Sequence, residues 1–227
     1  MNSPVSIDEF LALLARYNEM IWPGQIVAYA LAGLAAGIGL KRSATGNWFV
    51  PLMTALLWCW TGLFYQIGML RQFTAAAYAF GAIFVLQGVL LLIYGFRGEL
   101  RFRFRANVFG IAGTVFILYA MIAQPLIGMA VGHVYPQAAM FGVTPCSLMI
   151  FTFGILLWVE PPVPRVLLLI PFVGSWISFI SALPFGMMED YPLPVAGLIG
   201  SLLILHQERK LTVERLKAAK GKLKAEI

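Results

Sequence analysis

The sequence predicts an all-α membrane protein with seven transmembrane helices, N-terminus outside and C-terminus inside, preceded by an amphipathic interfacial helix. Three observations predict it. Only 11% of the 227 residues are charged while 60% are hydrophobic, and the mean hydropathy is +0.84. Soluble domains carry about 25% charged residues, so this chain has too little charge to clothe a globule in water. Apolar stretches near the length needed to cross about 30 Å of hydrocarbon follow one another along the chain. Finally, fourteen of the sixteen Lys and Arg residues fall on alternate connections between those stretches.

The first element precedes the bundle. Ser6 followed by Glu9 reads as a capping box, and Phe10, Leu11, Leu14 and Tyr17 recur on one face, so 1–20 is an amphipathic helix that lies in the interface or docks on the bundle. Asp8 and Glu9 stand where a cleavable signal needs basic residues, so none is expected here. The seven spans are then Ile21–Leu40, Phe49–Leu70, Thr74–Phe96, Val108–Met129, Ala139–Val159, Val163–Pro184 and Leu193–His206, which together make a bundle over 21–206. The last is short, but nothing from Val195 to Lys220 breaks its helix. A basic helical tail, 207–227, completes the chain.

Orientation follows from the basic residues. Lys41 and Arg42, then Arg97, Arg101, Arg103 and Arg105, then Arg165, then the seven from Arg209 to Lys224 share one side, leaving only Arg16 and Arg71 on the other. Basic loops stay in the cytoplasm, which places the N-terminus outside and the tail against an anionic cytoplasmic leaflet of a bacterial inner membrane. The tail has no interleaved aromatic residue, so nucleic acid is not expected as a partner.

Small residues mark packing faces. Gly33 with Gly37, and Gly128 with Gly132, have small-xxx-small spacing, which serves helix packing within one chain or a homo-oligomer. Pro125, Pro145 and Pro171 fall inside spans and should leave the carbonyls of Met121, Phe141 and Leu167 seeking other partners. Trp22, Trp48 and Trp158 fall at predicted interfaces.

The chemistry is defined first by what is missing. Away from their ends the spans hold no ionisable residue, which disfavours an ion pump. The seventh span has no Lys for a retinal Schiff base, and His133 and His206 lie on opposite sides, too far apart for a shared haem. Walker, GxSxG, HExxH and paired CxxC motifs are absent, and no cofactor is expected. Cys59 and Cys146 fall at different depths.

What remains is a polar cluster on the outer side, centred on Gly132-His133-Val134-Tyr135-Pro136 and Pro145-Cys146-Ser147. Topology adds Glu19, Gln25, Gln66, Arg71, Glu189 and Asp190 around it, with Gln124 below. One reading is a loop whose His133 and Tyr135 merely tie helix ends together. A second is a pocket for a small neutral or weakly polar solute, lined by His133, Tyr135, Gln124, Gln66, Glu19, Gln25 and Arg71, as in a transporter or permease. A third is a soft-metal site of His133 and Cys146 with Met129, Met140 or Met149. A Cys146–His133 nucleophile pair lacks an orienting third group. A different class again is a non-enzymatic scaffold working through the Leu100–Phe104 loop and the tail.

Tyr17-Asn18 with Trp22-Pro23 and Gln25, Phe80-Gly81 with Phe84 to Gln87, Leu100 to Phe104, Gly132 to Pro136, and Pro145-Cys146 with Phe151 to Gly154 form a set of motifs. Together they resemble a family of bacterial and archaeal multi-pass membrane proteins of unknown function, over about Tyr17 to Gly200. Members of that family are sometimes labelled permease. The resemblance implies a Pro-Cys-Pro turn where this chain has Pro145-Cys146-Ser147, and it implies no catalytic or substrate residues.

Reporter fusions test the sidedness. A periplasm-active reporter at the N-terminus and a cytoplasm-active reporter after Ile227 should both be active, and the exchanged pair silent; activity of one reporter type at both ends would refute the orientation.

Overall fold

The computed structural model describes residues 6–225, with side chains as far as Glu214. Among the described residues the regular structure is helical: α1 Ile7–Met20, α2 Gly24–Gly39, α3 Ala44–Trp60, α4 Ala76–Phe96, α5 Val108–Leu118, α6 Gln124–Ala130, α7 Pro145–Leu157, α8 Val166–Ala182 and α9 Leu193–Ala225. Short π-helical turns, Thr61–Ile67 and Tyr119–Ala123, extend α3 and join α5 to α6. An isolated antiparallel bridge pairs Phe102 with Val159.

Five helices are long and apolar enough to cross a membrane, and α1 with α2, bent by 78° at Ile21–Pro23, would make a sixth. Large apolar side chains such as Val27, Leu34, Leu86, Ile111, Leu169 and Leu202 are exposed along them. Surfaces of that kind suit hydrocarbon and not water.

α1 begins with the capping box: the Ser6 hydroxyl accepts from Glu9 N at 3.2 Å and Ser6 N donates to Glu9 Oε2 at 2.9 Å. The helix docks on the bundle through Leu13, Leu14, Tyr17 and Asn18. At the other end the predicted tail is no separate element, because α9 runs unbroken for 33 residues.

The stretch read as a span over Ala139–Val159 differs from expectation. Its helix starts only at Pro145, has 13 residues, and is buried at every one of them. At about 1.5 Å per residue it falls short of the bilayer and is instead the bundle's enclosed axis, packed by α3, α5, α8 and α9. Pro145 therefore does not interrupt a helix. It stands in the first turn, where its missing N–H has no partner to lose. Trp158, expected at an interface, is buried, and its Nε1 donates to Gly110 O at 3.0 Å.

Pro171 does lie inside α8, and the carbonyl it frees, that of Leu167, accepts from Gln87 Nε2 of α4 at 3.0 Å. At Pro125 the helix takes up the missing bond with the π turn over Tyr119–Ala123.

Some of the closest approaches between helices use glycines outside the expected pairs. A Cβ at Gly154 would lie 2.8 Å from Gly113 O, and one at Gly62 would lie 2.8 Å from Gly81 O. Around Gly33 and Gly37 there is nothing within 4 Å among the described residues, so that face points outward. Gly154→Val should therefore destabilise by about 2 kcal/mol, read as a lower thermal midpoint in detergent, while Gly33→Ala should stay within about 0.5 kcal/mol of the parent.

Candidate functional site

The connection from α6 to α7 carries the imidazole, and α1 holds that connection in place. Gly132, at φ +100°, lets the chain reverse after α6, a conformation only glycine adopts cheaply. His133 N then donates to Gly128 O at 2.8 Å. Asn18 Nδ2 donates to the carbonyls of Pro136 and Ala138, both at 2.7 Å, and Gln25 Nε2 donates to Asn18 O at 2.7 Å. The Tyr17 hydroxyl donates to Val143 O at 3.0 Å and accepts from Trp60 Nε1 at 3.1 Å. The Tyr17-Asn18 and Gln25 motif thus clamps the loop.

So fixed, His133 Nδ1–H donates to Glu189 at 2.9 Å from Oε1 and 3.2 Å from Oε2. The carboxyl group fits because Gly128 has no side chain: a Cβ there would lie 3.2 Å from Glu189 Oε1. Next along the chain, Asp190 Oδ1 accepts from Gln124 Nε2 at 2.7 Å. Glu189 and Asp190 are only 2% and 4% exposed. Two acidic side chains therefore sit away from water with one imidazole and one amide as partners, a costly arrangement unless every partner is in place. His133, 13% exposed at its side chain, is the link to solvent.

Asp190 also reaches a cavity of about 650 Å³ between α4 and α8, closed at one end by Phe10 and Leu14 of α1. Its floor carries Tyr65, Gln66, Cys146, Ser178 and Asp190. Cys146 lies beside the Asp190 carboxyl and the Ser178 hydroxyl. Gln66 Oε1 is buried without a hydrogen-bond partner among the described residues. The rest of the lining is almost wholly apolar, and its rim residues Ile83, Leu86, Leu169 and Val173 are exposed on the outside of the bundle. The cavity therefore opens sideways, between helices, toward where lipid would lie.

The residues singled out from the sequence divide into three groups. His133 and Gln124 come together through the adjacent Glu189 and Asp190, while Gln66 and Cys146 line the cavity. Gln25 is spent on the α1 clamp, and Tyr135 packs edge-on against Trp22 with centroids 6.3 Å apart. Glu19 and Arg71 are exposed and touch neither the cluster nor the cavity lining. Of the methionines, Met149 lines the cavity and Met129 is exposed. Among the described residues no three His, Cys, Asp or Glu side chains converge on a metal position. His133 is turned to Glu189, and Cys146 to Asp190 and Ser178.

Sequence reading placed Glu189 and Asp190 on the outer rim but did not foresee their burial. The available signal was an acidic pair in the otherwise apolar run Gly186 to Pro194. Tyr65 and Ser178 gave none, since each is an ordinary residue in an apolar helix.

Helices of this length, with their large apolar side chains turned outward, make the chain a multi-pass membrane protein. It belongs to the family of unknown function DUF6064, whose model matches residues 7–215. The motifs read from Tyr17 to Gly200 all lie within that match. No curated protein and no solved structure matches the chain.

Removing the imidazole alone leaves Glu189 without its partner. His133→Ala should therefore cost about 3 kcal/mol, measured by thermal unfolding in detergent, and His133→Ala with Glu189→Gln should recover most of the loss. A double variant no more stable than the single one would show that the pair is not coupled.

Proposed function

We propose that this protein binds a small neutral or weakly polar, largely apolar solute in the cavity between α4 and α8, as a transporter or permease of the cytoplasmic membrane would. The observation that supports this most directly is the cavity: a largely apolar wall open sideways, with Asp190, Cys146 and Ser178 beside one another in its lining. A ligand arriving through the bilayer would bury its apolar body against Phe80, Phe84, Val173 and Ile177. Its single hydrogen-bonding group would meet Gln66 and Asp190, of which Gln66 has an oxygen still without a partner. Cys146 and Ser178 would shape the same floor.

In this reading His133, Glu189 and Gln124 do not touch the solute. They hold Asp190 at the cavity floor and connect it to water, so that a proton or a hydrogen-bond rearrangement at His133 reaches the bound molecule. The distribution of basic residues supports an N-terminus outside, which turns His133 to the exterior and puts this end of the cavity in the outer half of the membrane.

The scaffold reading gains less support. Leu100 and Phe102 of the Leu100–Phe104 loop are buried, and Phe102 N donates to Asn47 Oδ1 at 3.0 Å, so the loop's apolar residues are engaged within the bundle.

A neutral fatty alcohol bearing a diazirine tests the proposal in native membranes. Irradiation should label peptides from α4 and α8 of the parent, and Ser178→Phe, which puts a ring where the polar lining meets the ligand, should reduce that labelling at least about tenfold. Equal labelling of the two proteins at the cavity peptides would remove the cavity from the proposal.

A further inference from the structure

At the far end of the bundle from His133, a second, smaller pocket of about 160 Å³ lies between the start of α5 and α9. Arg105, Asn107, Gln207, Lys210 and Glu214 supply its polar lining. Neighbouring charges are already engaged: Glu160 lies 3.9 Å from Arg103, and Glu208 lies 3.8 Å from Arg165 and accepts from Val163 N at 2.9 Å. Arg105 and Lys210 have no acidic partner within ion-pair distance among the described residues. The Arg105 guanidinium reaches only the carbonyl of Val159, at 3.5 Å.

Two independent features point to an absent anionic group. Gln207 is 5% exposed, and both its Nε2 and its Oε1 lack hydrogen-bond partners among the described residues. A buried amide left with neither its donor nor its acceptor satisfied is a costly arrangement, and a ligand in the pocket would relieve it. The pocket also lies at the N-terminus of α5, where Asn107 Oδ1 accepts from Phe109 N and Gly110 N and the helix dipole favours negative charge.

The source of the anion follows from the surface beside the pocket. Val108, next in the chain after the pocket's Asn107, begins an apolar stripe with Ile111, Val115 and Leu118, all between 51% and 69% exposed at spacings of three and four, on the face of α5 turned away from its buried Phe109 and Gly113. On α9 the change from apolar to charged falls at the same level, between Ile204 and Glu208. We propose that this pocket seats the phosphate of a membrane phospholipid, held by Arg105, Lys210 and the Gln207 amide, with an acyl chain lying along the Val108–Leu118 stripe. Glu214 lines the pocket's edge, where its carboxylate disfavours a second phosphate and suits the hydroxyl or ammonium of a headgroup. The site does not depend on the solute cavity, and each stands if the other fails.

The test uses the full chain, stripped of lipid in an uncharged detergent, with phosphatidylglycerol, a diacylglycerol of the same chains, and inorganic phosphate as three separate additions. Phosphatidylglycerol should raise the thermal midpoint and appear as a retained adduct in native mass spectra, and the other two should do neither. Arg105→Gln with Lys210→Gln should weaken the apparent affinity at least about tenfold, while Arg97→Gln, at an exposed arginine paired with Glu99, should leave it unchanged. Gln207→Leu removes the unsatisfied amide without emptying its space, so it should fold, melt higher than the parent without lipid, and respond less to phosphatidylglycerol. An equal response to diacylglycerol, or a full response in Gln207→Leu or in the double variant, overturns the site. A full response to inorganic phosphate alone overturns the lipid and assigns a free anion.

Discussion

The constraint on which the whole structure depends is that backbone polar groups in this bundle must be satisfied by the chain itself, because hydrocarbon offers them nothing. The long-range side-chain hydrogen bonds serve that end. Gln87 crosses from α4 to take the carbonyl that Pro171 frees in α8, and Trp58 crosses from α3 to the Thr152 hydroxyl of α7 at 2.9 Å. Tyr17 and Asn18 do the same for the carbonyls of the α6–α7 connection, which makes no sheet and little helix of its own. Each such bond fixes one helix against another at a single register, so satisfying the backbone also determines how the bundle packs.

That logic separates what the sequence could reveal from what it could not. Helix positions and the Ser6–Glu9 cap were legible because they depend on local apolarity and short-range spacing. The carbonyl of Leu167 was expected to need a partner, but which side chain would supply it was not legible, since Gln87 lies 80 residues away. The length of α7 was misjudged for a related reason. Apolar content shows that a segment avoids water, yet it does not distinguish burial in lipid from burial in protein, and every residue of Pro145–Leu157 is buried in protein. The Gly33–Gly37 face divides in the same way: spacing reports that a helix can approach, and only the three-dimensional arrangement shows that no helix of the same chain does so among the described residues.

The candidate site follows the same division. His133 and Gln124 were recognisable as unusual residues near one end of the bundle, whereas their partners, Glu189 and Asp190, lie more than 50 residues further on and meet them only through folding. Two of the three predicted glutamines sit at breaks in helical geometry, Gln66 inside one π turn and Gln124 directly after the other. Such turns widen the helix by one residue and re-aim a side chain, and neither apolar periodicity nor residue spacing marks them. The cavity itself forms between α4 and α8, which are joined at Gln87 and Leu167, and is a property of the assembled bundle and of no single segment.

The enclosure of α7 has a consequence for how the molecule is made. A 13-residue helix is too short to span the hydrocarbon by itself, and two of the helices that pack around it, α8 and α9, emerge from the ribosome later. The enclosure of α7 is therefore completed only once the chain beyond it has been made, and its last walls are supplied by the C-terminal pair of helices.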